Sequence, residues 1–170
     1  GRTRFASRII HAVRKAVGSR FPIIFRFSQW KTGHYDAKLA YTPEELEAFL
    51  APLTDAGVDI FDCSTRRFWE PEFEGSRLNL AGWTRKLTGK PTISVGSVGL
   101  KGDFTNAFDG GPEAEAASVE PLVERLKAGE FDLIAVGRAL LADAEWAEKI
   151  RHAREKEIHL FTKEDLKTLK

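Results

Sequence analysis

The sequence predicts an α/β fold of the (β/α)8, or TIM-barrel, type, with 170 residues supplying four of the eight β/α units, a half-barrel. Three observations point there. Apolar runs with strand character begin at Pro22, Val58, Pro91 and Phe131, roughly 33 to 40 residues apart, the length of a barrel repeat. These runs are nearly continuous rather than alternating, as in parallel strands buried on both faces. Helical patterns separate them, and no Gly-x-Gly-x-x-Gly follows the first strand, which favours a half-barrel over an open doubly wound sheet. A complete barrel needs about 250 residues, so this chain is too short to close one alone.

The elements follow in order. Residues 5–17 form an amphipathic helix with Phe5, Ile9, Ile10 and Val13 on its apolar face. The first strand covers residues 22–28, Pro-Ile-Ile-Phe-Arg-Phe-Ser. A second helix starts clearly: Thr42 is its N-cap, Pro43 its first residue and Glu45 the capping-box partner, with Leu46, Phe49, Leu50 and Leu53 on one face. Pro52 is expected to kink or shorten it, and Gly57 to stop it. The second strand spans 58–64, a short helix 82–88 and the third strand 92–97. Next come a helix over 118–127, with Leu122, Val123 and Leu126 inward, and the fourth strand over 131–137. Helical patterns over 145–156 and 163–169 close the chain.

Composition narrows the function. The chain is 42% hydrophobic and 30% charged, ordinary for a globular domain, and 26 basic residues balance 25 acidic ones with no long basic run. Neither nucleic acid nor an anionic membrane is therefore expected as a partner; a small molecule is. Cys63 is the only cysteine, lies in an apolar run and reads as a buried structural residue rather than a reactive thiol. No stretch approaches a signal or transmembrane helix, which makes the cytoplasm the expected location. With no methionine and Gly1 as its first residue, the chain is expected to have been processed, trimmed or cut from something longer.

Two strand ends carry the clearest chemical signal. Ile93-Ser94-Val95-Gly96-Ser97 and Leu133-Ile134-Ala135-Val136-Gly137-Arg138 each run to a glycine followed by a polar residue. Glycine lets the backbone approach a phosphate, and an adjacent arginine supplies charge and a two-pronged donor. The loops after the last two strands do this work in closed α/β barrels, so Gly96, Ser97, Gly137 and Arg138 are candidate phosphate ligands. Arg26, inside the first strand, must meet an anion, a carboxylate or a polar ligand, since an unpaired charge there costs several kcal/mol. A structural ion pair would equally satisfy it.

Two long loops leave the same face, residues 29–36 and 65–76. Phe68, Trp69 and Phe73 on the second could wall a pocket for a flat ligand, or simply tuck the loop down. His34 with Asp36, Glu70, Glu72 and Glu74 shows no metal-ligand spacing, so no metal is expected. His11, His152 and His159 read as solvated surface. No motif supports a Ser–His–Asp triad. No strand end offers the catalytic lysine or carboxylate that a phosphate-binding isomerase or aldolase requires.

Taken together, Arg2-Thr3-Arg4-Phe5, Phe25-Arg26-Phe27-Ser28, Asp55-Ala56-Gly57-Val58-Asp59, Ile93-Ser94-Val95-Gly96 and the run from Ala135 to Asp143 resemble the Old Yellow Enzyme family of FMN-dependent oxidoreductases. Order and spacing are kept over nearly the whole chain, residues 1–170, which corresponds to the C-terminal half of that barrel, strands five to eight with the helix before them. The resemblance implies FMN as cofactor and NADH or NADPH as electron donor, with an activated alkene or related electrophile as acceptor. It places Arg26 toward the flavin's pyrimidine edge, Gly96, Gly137 and Arg138 at the FMN phosphate, Ser97 where many relatives have a second glycine, and Phe68 and Trp69 beside the substrate pocket. The family's tyrosine proton donor and substrate-binding pair belong to the half absent here, so no catalytic residue is assigned, and the chain alone is expected to be inactive. The expected partner is that N-terminal half-barrel or a second copy of this chain; the competing reading is a non-catalytic half-barrel that self-associates and at most binds phosphate compounds.

Overall fold

A computed structural model describes residues 1–102 and 115–167. Helix α1 (Arg4–Val17) precedes strand β1 (Ile24–Ser28), α2 (Pro43–Ala56), β2 (Ile60–Ser64), α3 (Leu80–Thr88), β3 (Thr92–Val95), α4 (Glu120–Lys127) and β4 (Leu133–Ala135). Two short helices, α5 (Arg138–Ala142) and α6 (Trp146–Arg151), and 3-10 turns at Glu155–Glu157 and Lys163–Leu166 follow. The four strands are parallel and lie in the order β1-β2-β3-β4. That sequential order is the order of a barrel wall; a doubly wound sheet reverses direction partway.

Period-two alternation assigns each strand residue to one of two unlike faces. Phe27, Phe61, Cys63, Thr92 and Ser94 turn toward the helices and are buried with Leu46, Leu50, Leu53, Leu80 and Ala81. Phe61 meets Phe27 edge-on, with ring centroids 6.2 Å apart. The opposite face carries Ile24, Arg26 and Leu133, and Ile24 and Leu133 are 53% and 50% exposed. This corrects the expectation of strands buried on both faces. Crossovers of one hand in a sequentially ordered sheet lay the helices on the same side, and nothing among the described residues covers the other.

Local chemistry decides the helix boundaries. The side-chain oxygen of Thr42 accepts from Glu45 N (3.3 Å), and Glu45 Oε2 accepts from Tyr41 N (2.8 Å). Pro52 neither kinks the helix to a stop nor shortens it: α2 continues to Ala56, held by the fully buried Leu46, Leu50 and Leu53, and ends at Gly57 with φ +111°. Helix α3 begins earlier than expected because Asn79, wholly buried, caps it, with Oδ1 accepting from Gly82 N (2.9 Å). The same side chain donates to Phe68 O (2.8 Å) and Ser94 Oγ (3.1 Å), tying loop, helix and strand together. The expected helix over 145–156 is shorter, and that over 163–169 is a 3-10 turn over Lys163–Leu166, with the last two expected residues outside the described ones. Asp143 reorganises this tail by accepting from Lys149 Nζ (2.7 Å), Glu145 N (3.0 Å) and His159 N (2.9 Å). No helix among the described residues is long and apolar enough to cross a membrane.

Candidate functional site

The C-terminal ends of the four strands enclose a cleft of about 270 Å³. Arg26, Gly96, Ser97, Gly137 and Arg138, the five residues expected to bind a cofactor, all line it. Parallel pairing brings them together: Arg26 is in register with Asp62 on β2, Ser28 with Ser64, and Ser64 with Val95 immediately before Gly96. Trp30, Ser64, Thr65 and Arg66 complete the polar wall, while Val95, Val98, Leu100 and Ala135 supply an apolar one. Among the described residues, three arginines thus line the cleft and no carboxylate does.

Each arginine is held. The Arg26 guanidinium reaches Asp62 Oδ2 and donates to Ser64 Oγ, both at 3.2 Å, with 58% of its side chain still open on the bare sheet face. Arg66 lies over the Tyr35 ring, 5.5 Å from its centroid, and that ring packs against Trp30. Arg138 donates to Gly102 O (2.7 Å) and sits 6.0 Å from the Phe161 ring centroid.

The β3 loop is built for close approach. At Gly96, φ is +133° and an added Cβ would stand 2.8 Å from Thr65 O and 2.9 Å from the backbone of Arg66 and Arg67. Ser97 adopts φ +52°, the left-handed region where glycine is favoured, and its Oγ lies 2.9 Å from both Arg66 O and Gly102 O. Its hydroxyl therefore braces the loop, in place of the freedom a glycine would supply. Gly137 has open space around the position of a Cβ.

Phe68 and Trp69 are not in the lining of this cleft. Phe68 is buried in the core beneath its own loop, edge-on to Trp69 with centroids 5.1 Å apart, and its backbone N–H donates to Gly96 O (3.2 Å). Phe73 is buried against Trp83. Of the two readings of these aromatics, loop packing describes Phe68 and Phe73. Burial pushes the Cys63 thiol up to about 12, and the residue lies in the core as expected. His159 is exposed, as expected, and its ring nitrogen is 3.2 Å from Asp165 Oδ1. Among the described residues no three His, Cys, Asp or Glu side chains converge as metal ligands.

Asp62, Arg66 and Trp30 escaped the reading of strand ends. Asp62 had a signal: it stands two residues before the strand-ending Ser64, as Arg26 does before Ser28, so in-register parallel pairing sets the charges side by side. Burial raises the Asp62 carboxyl above its ordinary value, against the lowering effect of Arg26, and its Oδ1 is buried with no hydrogen-bond partner among the described residues.

Comparisons with known proteins show the family and a shared fold. The family model described as NADH:flavin oxidoreductase / NADH oxidase family matches residues 1–157. An NADH oxidase of Thermoanaerobacter brockii is 32% identical over 167 residues, covering 92% of this chain and 22% of the relative. Among solved structures, the old yellow enzyme from Trypanosoma cruzi superposes with TM-score 0.57 at 16% identity, over 89% of this chain and 34% of that one. Morphinone reductase in complex with tetrahydroNAD gives TM-score 0.60 at 15% identity, over 90% and 34%. The chain spans about a fifth of the curated relative and about a third of these two structures.

Proposed function

Because this chain belongs to the NADH:flavin oxidoreductase / NADH oxidase family, we propose that it forms the phosphate end and one wall of the FMN site in a nicotinamide-oxidising flavoenzyme, as the last four β/α units of the barrel. The cleft lining supports this reading most directly: among the described residues it holds three arginines without a carboxylate, at strand ends, beside an apolar wall. That donor set suits a phosphate joined to a flat ring system. The Arg26 guanidinium, more than half open on the cleft side, likewise suits the carbonyl acceptors of a ring edge such as the flavin's pyrimidine edge. At about 270 Å³ the cleft is at the small end of ligand sites, in keeping with one wall of a larger pocket.

Bound FMN would supply the hydride-accepting and hydride-donating ring, taking electrons from NADH or NADPH and passing them to an activated alkene or related electrophile. The chain's residues bind and orient it. Arg138 and the Gly96, Ser97 and Gly137 backbone hold the phosphate, and Ser97 fixes the β3 loop by its hydroxyl. Arg26 sets positive charge where negative charge develops on the reduced ring. The proton donor and the rest of the substrate pocket lie on strands outside this chain.

The test is FMN against riboflavin binding to the assembled barrel, read by flavin fluorescence. Arg138→Ala is expected to weaken FMN by about 1.5–3 kcal/mol, the scale of a charged hydrogen bond, and to leave riboflavin unmoved. Unchanged FMN affinity removes the phosphate assignment. A second reading, a half-barrel that pairs with its own copy, is favoured by the bare face carrying Ile24 and Leu133.

A further inference from the structure

The inner face of β1 and β2 carries an ion pair whose members differ sharply in exposure. Arg26 keeps 58% of its side chain open, whereas Asp62 keeps 14%, and the two meet at 3.2 Å as in-register neighbours. The partly buried carboxylate thus stands behind the guanidinium, which faces the cleft. Its second oxygen has no partner among the described residues, an arrangement that mere structural pairing would not select. Ser64 receives the other arm of the guanidinium, so Arg26 is fixed in direction from both sides.

We propose that Asp62 is a positioning residue that sets the reduction potential of the bound flavin through Arg26, aiming the guanidinium at the ring and offsetting part of its charge. This rests on the FMN reading above. The sign follows from electrostatics. Arg26 favours the anionic reduced ring, and a carboxylate beside it diminishes that preference, the more so because water is largely excluded around Asp62. Removing the negative charge while keeping the side chain's shape leaves the cation undiminished. The reduced flavin is then bound more tightly relative to the oxidised one, and the potential rises.

The experiment compares the flavin midpoint potential of the FMN-loaded full-length protein with that of Asp62→Asn. A rise is expected; a tenfold gain in preference for the reduced form corresponds to about 30 mV for a two-electron couple. Asp62→Glu, which keeps the charge, should stay closer to the original potential. In an Arg26→Gln background, Asp62→Asn should change little, since the partly buried carboxyl loses the cation that favours its charged form. Should Asp62→Asn fold poorly, Asp62→Ser removes the charge with a smaller side chain and carries the same expectation. An unchanged or lowered potential in a folded, FMN-loaded variant overturns the inference. So does an equal shift with and without Arg26. Failure of the unmodified protein to bind FMN would instead defeat the cofactor reading, and flavin absorbance reports that separately.

Discussion

Gly96 and Gly137 each lie just past the end of a neighbouring strand, yet packing demands only one of them. A Cβ at Gly96 would press into the backbone of Thr65 to Arg67 at a positive φ, so Gly96→Ala is expected to destabilise by about 2–4 kcal/mol in denaturant unfolding. Gly137→Ala meets nothing within 4 Å and should stay within about 0.5 kcal/mol in the same measurement, so a loss of FMN affinity there would report ligand contact alone. Glu72 makes a pH prediction. Burial raises its carboxyl above the ordinary 4.5, despite a hydrogen bond from Gln29 and the nearby Lys38. A raised carboxyl contributes stability at low pH that is lost as pH climbs above about 4.5. Glu72→Gln, which keeps the acceptor for Gln29, should therefore gain stability relative to the original chain as pH rises from 4 to 7, read from paired unfolding curves at each pH.

Among the elements, α2 combines a strong start with an internal flaw. Replacing the Thr42 cap by alanine should cost about 1 kcal/mol. Pro52 withholds a hydrogen bond from the Ala48 carbonyl in the middle of a helix that the buried leucines nevertheless keep intact. Pro52→Ala is therefore expected to stabilise by about 1–3 kcal/mol, measured as a shift in the unfolding midpoint. The tail hangs on Asp143. Burial alone would raise this carboxyl, but Lys149 and the His159 and Glu145 backbone donors hold it below its ordinary 3.8. Its contribution is complete above that value and lost as pH falls through the lowered one, so Asp143→Asn should flatten the acid limb of the stability profile.

Taken whole, the molecule leaves apolar surface bare at both ends of its sheet. Phe5, Ile9, Val13 and Val17 repeat every fourth residue along α1 and continue through Phe21 to Ile24 beside the β1 edge. Leu133 in β4 and Leu140 and Leu141 in α5 are likewise exposed. Monomeric proteins rarely leave such surfaces uncovered, and among the described residues β1 and β4 each pair with a strand on one side only. The isolated chain is expected to associate with itself, and Ile24→Lys with Leu133→Glu should move it toward a monomer in native mass spectrometry. The same spectrum, taken on material holding a companion fragment, would show one FMN per pair if the remaining barrel units complete the site.

Strand spacing, the capping sequence at Thr42 and the two glycine-terminated strands were legible in the chain because they rest on local periodicity and backbone stereochemistry, which neighbouring residues alone determine. The same local signals marked Arg26, Gly96, Ser97, Gly137 and Arg138, and their convergence on one cleft follows from parallel, in-register pairing. Asp62 as the partner of Arg26, the burial of Phe68 under its own loop, the persistence of α2 through Pro52 and the bare inner face were settled by tertiary structure. Each depends on residues distant in sequence, 36 positions in the case of Arg26 and Asp62, and on which faces the crossovers leave covered.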